Sequence, residues 1–152
     1  MNNFLSLQED DEKMLGCSLD DIIAQLPRRL SFGVQRWIDN TPDKTAVVCG
    51  QQRVSYSELG TLIRECKEFL RQHSVRAGDR VLLVCENGLP TLGFFLAASE
   101  MDAIVIVGNA RLSDREINLV QTDSDPRLVI YTTSDSTDAQ PVSYTHLTLP
   151  TT

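Results

Sequence analysis

From Thr45 onward, short and nearly unbroken apolar runs alternate with longer stretches whose apolar residues recur every three or four positions. Short apolar runs read as strands, and three-to-four spacing reads as a helix with one buried face. Thr45–Cys49 and residues 53–56 flank Gly50-Gln51-Gln52, which predicts a hairpin with those three residues as its turn. Leu59, Leu62, Ile63, Cys66, Phe69 and Leu70 then form a stripe that predicts a helix to about His73, with Ser57 as its N-cap. Arg80–Cys85, 103–107 and 127–131 lack polar alternation and predict strands buried on both faces. Residues 89–101 are apolar almost all round and predict a helix enclosed by other elements. Ser113, with Glu116 at the third position after it, predicts a capping box opening a helix that runs to Asp123.

Ahead of this block, Leu30, Val34, Trp37 and Ile38 make one apolar face on a predicted helix over Leu30–Asn40, which Thr41-Pro42 ends. Residues 1–26 read as an acidic, weakly structured leader: EDDEK at 9–13, then a short amphipathic LDDIIAQLP that stops at Pro27. The resulting order is β-β-α-β-α-β-α-β. Helix-joined apolar strands pair in parallel and need helices on both faces, so the predicted class is α/β, a partial, largely parallel, doubly wound sheet.

Composition narrows the function classes. The chain has 152 residues, 41% apolar and 23% charged, within the range of one globular domain with a core. Its longest apolar stretch, 92–107, carries Glu100 and Asp102, which argues against a membrane span. The opening residues show neither a secretory signal nor a transit pattern, so a cytoplasmic location is expected. A net charge of −7 with scattered basic residues argues against nucleic acid as a partner. Arg28 and Arg29, the one adjacent basic pair, read as solvated side chains near a helix start. Cys17, Cys49, Cys66 and Cys85 are widely spaced with no Cys-x-x-Cys pair, and read as reduced thiols rather than a zinc site.

Candidate chemistry is sparse. Asp79 and Glu86 bracket one predicted strand and belong at its opposite ends, and His73 stands at a helix end, where it complements the dipole. No Gly-x-Gly-x-x-Gly follows a strand. The stretch YTTSDSTDAQPV at 131–142, where the strand at 127–131 ends, offers hydroxyls but no glycine or lysine, and its aspartates repel phosphate, so it reads as a polar surface loop.

Four pieces in order carry a resemblance: PDKTAVV at 42–48, VSYSELG at 54–60, GDRVLLVCEN at 78–87 and NARLSDREI at 109–117. Together they resemble the N-terminal part of the adenylate-forming, AMP-binding enzymes. EMDAIVIVGNARL lacks the glycine and Pro-Leu-Asp usual in peptide-synthetase adenylation domains, and its wording is more similar to acyl-CoA synthetases. The resemblance implies a parent ligase that joins a carboxylic acid to ATP as acyl-adenylate and then passes the acyl group to the thiol of CoA. ATP, Mg2+ and CoA would serve that parent, with none bound by this fragment. The family's polyphosphate loop, rich in Ser, Thr and Gly and ending in Pro-Lys-Gly, would follow the strand at 127–131. No active-site residue of the family maps onto residues 1–141, so no catalytic, cofactor-binding or metal-binding residue is assigned and the fragment is expected to be inactive. Residues 27–141 would be the truncated start of an AMP-binding domain.

VSYTHLTLPTT at 142–152 breaks the α/β rhythm and resembles the conceptual translation of a transposase adapter. It reads as a non-native tail, which removes His146 as a ligand candidate. The rival reading is a stand-alone α/β module that binds a partner without catalysis. Neither the identity of the acid nor an oligomeric state is encoded in these motifs.

Overall fold

A computed structural model describes residues 13–14 and 16–132. The first twelve residues, the hydroxyl-rich stretch after Thr132 and the tail at 142–152 lie outside the described residues. In chain order the elements are α1 (Leu19–Gln25), α2 (Leu30–Asn40), β1 (Thr45–Cys49), β2 (Gln52–Ser55), α3 (Tyr56–Gln72), β3 (Arg80–Cys85), α4 (Leu89–Glu100), β4 (Ile104–Asn109), α5 (Asp114–Ser124) and β5 (Leu128–Thr132). The predicted β-β-α-β-α-β-α-β order is present from β1 onward.

β1 and β2 form an antiparallel hairpin in which Cys49 pairs with Gln52. The loop is therefore Gly50-Gln51, with Gly50 at φ 60° as a left-handed turn position requires, and Gln52 belongs to the strand rather than to the turn. The cap of α3 is Ser55, not Ser57. Ser55 Oγ accepts the Glu58 N–H at 3.2 Å, and the Glu58 carboxylate accepts the Ser55 N–H at 2.7 Å. Ser57 cannot build this box because the residue three positions on is Gly60, which has no side chain to return the bond. At α5 the same reciprocal bonds join Ser113 and Glu116 as expected. Both glutamates have pKa values held below the ordinary range, Glu58 first by the Ser55 N–H and Glu116 first by the Ser113 hydroxyl. The caps thus add stability above the ordinary carboxylate pKa, and that contribution fades as pH falls through the lowered values.

β4, β3 and β5 form a three-stranded parallel sheet with β3 in the centre. The chain moves from β3 outward to β4, then crosses back over β3 to reach β5. Keeping one hand of crossover while reversing direction places the two connecting helices on opposite faces. Residues alternate accordingly. Val81, Leu83, Leu128 and Ile130 face α3 and α4 in a core with Leu59, Ile63, Leu70, Leu96 and Ala97. Leu82, Val84 and Val129 face α5 through Ile117, with Leu112 and Val120 packed against them.

α4 lies between α3 and the sheet, and its approach to α3 is tight. A Cβ on Gly93 would lie 2.8 Å from Leu62 Cγ and 2.9 Å from Cys66 Sγ. Phe69 and Phe94 meet edge to face across the same crossing, and Lys67 Nζ bonds Glu100 Oε2 at 2.6 Å. Three expectations change here. β4 is half exposed rather than buried, with Ile104 52% and Val107 59% accessible, because among the described residues it is an edge strand paired with β3 alone. On α2, Val34 and Ile38 reach the core while Leu30 and Trp37 face outward, since the helix touches α3 and α4 along a narrow strip. Trp37 instead stacks on Tyr56 beneath the Arg36 guanidinium. Arg29 is not merely solvated: its guanidinium makes a two-pronged bond to Asp102, with Nε 2.6 Å from Oδ1, tying the start of α2 to the α4–β4 turn. Among the described residues no helix is long and apolar enough to cross a membrane.

The central place of β3 has a direct consequence. Leu83→Ala, at a side chain with 0% exposure, is expected to cost about 3 kcal/mol. Leu119→Ala, at a 61% exposed position on α5, should change stability by less than about 0.5 kcal/mol. Urea unfolding of the two variants checks this, and a small loss at Leu83 would contradict it.

Candidate functional site

The loops that leave β3 and β4 diverge, one toward α4 on the first face and the other toward α5 on the second. Adjacent parallel strands whose loops part in this way leave a crevice beyond their carboxyl ends, the usual place for ligands in open α/β sheets. An open cleft of about 520 Å³ occupies that position, lined by Cys85, Glu86 and Asn87 on one side and by Val107, Gly108, Asn109 and Arg111 on the other.

Local sequence holds both walls in place. The Glu86 carbonyl accepts from Thr91 Oγ1 at 2.8 Å, and Pro90 in the first turn of α4 makes a sharp helix start. Across the cleft, the Ala110 N–H donates to the Cys85 carbonyl at 3.1 Å and the Leu112 N–H to the Asn109 carbonyl at 3.1 Å. The Arg111 N–H donates to Asn109 Oδ1 at 2.9 Å, a side-chain turn that Asn favours. Leu112 packs into the second core and Ser113 caps α5, so the loop is anchored at both ends. Among the described residues the Arg111 guanidinium has no hydrogen-bond or ion-pair partner. An uncommitted guanidinium at the mouth of a cleft is equipped to receive an anionic group.

Other sequence-selected residues sit elsewhere. Asp79 and Glu86 flank β3 at opposite ends, and Asp79 Oδ2 accepts the Arg76 N–H at 2.7 Å, so they are not a catalytic pair. His73 caps α3: its Nδ1 lies 2.8 Å from the Phe69 carbonyl oxygen, and its ring packs on Phe69 at 4.3 Å. The described residues include no group of three or more His, Cys, Asp or Glu able to hold a metal ion. The sequence motifs assign no site role to Asn109 or Arg111. Their signal was the NARL stretch placed directly after a buried run, and its meaning depends on which way the neighbouring loop turns.

Residues 34–150 match the AMP-binding enzyme family. The chain belongs to that family. This AMP-binding chain is 30% identical over 87 residues to 3-hydroxybenzoate–CoA ligase of Aromatoleum sp. (strain CIB), which covers 57% of the chain and 17% of that protein. It is 29% identical over 79 residues to long-chain-fatty-acid–CoA ligase FadD13 of Mycobacterium tuberculosis, covering 52% of the chain and 16% of that protein. Its fold is similar to part of the N-terminal domain of FACL13 from Mycobacterium tuberculosis, with a TM-score of 0.65 at 24% identity over 69% of this chain and 27% of that one. The chain therefore spans less than a fifth of the length of the two ligases.

The cysteines of the AMP-binding chain differ in environment. All four are free, Cys66 and Cys85 buried and Cys49 exposed. Burial, followed by the charge of Glu65, pushes the Cys66 thiol up to about 12, so its reactive thiolate is scarce at neutral pH. Brief alkylation of the native protein at pH 8 should label Cys49 and spare Cys66, as read by peptide mass spectrometry. Equal labelling of the two would show that the α3–α4 crossing is open.

Proposed function

We propose that this chain is the opening portion of an acid:CoA ligase. In the first half-reaction of the parent, a carboxylate oxygen attacks the α-phosphorus of ATP and pyrophosphate leaves. In the second, the CoA sulfur attacks the acyl carbonyl, loses its proton and expels AMP. Family membership supports this reading, and the observation that carries it to a place in the fold is the cleft where the β3 and β4 loops part. The named relatives act on an aryl and a fatty acid, and we take one of these classes as the substrate.

Three kinds of negative charge meet in such a reaction: the acid, the ATP polyphosphate and the phosphates of CoA. The polyphosphate is assigned to the Ser/Thr/Gly-rich loop ending in Pro-Lys-Gly that the family places after β5, where backbone N–H groups stabilise the departing pyrophosphate. An open cleft with a guanidinium that no described residue engages suits the phosphates of CoA, which need charge-assisted bonds but not enclosure. Arg111 is accordingly the CoA-facing residue, on the wall opposite Glu86. Mg2+ would neutralise charge on the leaving pyrophosphate, and no described residue is assigned to it.

Residues 142–152 are read as foreign to the parent, whose catalytic groups lie in the sequence they displace. The exposed apolar edge of β4 suits a larger domain better than a stand-alone binding module, because an open edge without charge or proline invites pairing. A cytoplasmic location accompanies this reading. The purified chain should release no pyrophosphate from ATP in the presence of benzoate, hydroxybenzoate or fatty acids, while the full-length parent should do so with one of these classes. Acid-dependent release by the chain alone, or none by the parent, would overturn the proposal.

A further inference from the structure

We infer that Asn109 is a positioning residue for CoA capture, fixing the loop that holds Arg111 over the cleft; this rests on the reading of Arg111 as the CoA-facing residue. The backbone N–H groups that follow β4 are satisfied one by one. Ala110 donates to the Cys85 carbonyl of β3, Leu112 to the Asn109 carbonyl, and Ser113 to the Glu116 carboxylate of the α5 cap. The Arg111 N–H is the exception in kind, because its partner is a side chain outside any cap, Asn109 Oδ1 at 2.9 Å. The residue that presents the guanidinium is thus held by one replaceable side-chain oxygen.

The location of that bond decides what its loss would do. Asn109 and Arg111 are both exposed, so water can take the freed N–H and folding should lose little. Ligand capture is different. With the turn fixed, Arg111 lines the cleft together with Val107 and Gly108 before any ligand arrives, and binding need not order the loop. Without it, Arg111 starts from several backbone arrangements, and that ordering cost falls on the step that uses Arg111.

The test is made on the full-length ligase with Arg111→Ala, Asn109→Ala and Asn109→Ser, the last keeping a side-chain oxygen able to form the same turn. Arg111→Ala should raise the KM for CoA about tenfold while acid-dependent ATP–pyrophosphate exchange persists. Asn109→Ala should raise the same KM roughly fivefold, with kcat and exchange near those of the parent, and Asn109→Ser should recover part of the loss. An unchanged KM in Arg111→Ala would sink the reading of Arg111 itself. A raised KM there with no change in Asn109→Ala, or no recovery in Asn109→Ser, would sink the positioning role alone. A lowered unfolding midpoint in Asn109→Ala, with kcat and exchange falling together, would mark Asn109 as structural and also overturn it.

Discussion

Burial of β3 on both faces is the constraint from which the other features follow. Val81, Leu82, Leu83 and Val84 are all nearly inaccessible, and alternating side chains cannot all be covered from one side. The sheet must therefore carry helices on two faces. With a parallel sheet and one hand of crossover, the connection after β3 takes one face and the connection after β4 takes the other, so β5 returns to the far side of β3. Each core is then built from what its face receives: α3 and α4 bring Leu59, Ile63, Leu70 and Leu96, and α5 brings Ile117.

The cleft is a by-product of the same arrangement. Where the β3 and β4 loops part, the space between the strand ends is lined by the residues those loops carry. In this chain they carry Arg111, whose guanidinium has no hydrogen-bond or ion-pair partner among the described residues, and an asparagine whose Oδ1 accepts the Arg111 N–H. The capped start of α5 and the packing of Leu112 hold the loop from the other side. Scaffold and site are therefore not separate parts of the sequence: NARLS ends a strand, turns, presents a cation, plugs the second core and caps a helix within five residues.

Much of the fold was legible because its signals are local. The apolar runs at Arg80–Cys85 and Leu128–Thr132 and the Ser-x-x-Glu spacing at Ser113 each state their structure directly. The cap of α3 was displaced by two residues because two serines competed, and the glutamate reachable from Ser55 decided between them. Exposure at Ile104, Val107, Leu30 and Trp37 was not legible, since apolar character does not say whether a strand is central or which strip of a helix meets its neighbours. The Arg29–Asp102 bond spans distant parts of the chain and left no local trace. The cleft was hidden for a related reason: Asn109 and Arg111 gain meaning from the direction taken by the β3 loop, which is a property of topology.

The account's central claim is that these residues open an ATP-dependent ligase whose polyphosphate loop comes after β5. The most direct measurement is to sequence the source gene through and beyond codon 141 in DNA prepared without transposase tagging. The account predicts an open frame that departs from VSYTHLTLPTT and continues into a Ser/Thr/Gly-rich loop ending in Pro-Lys-Gly. A gene that encodes 142–152 as given and then stops would contradict it.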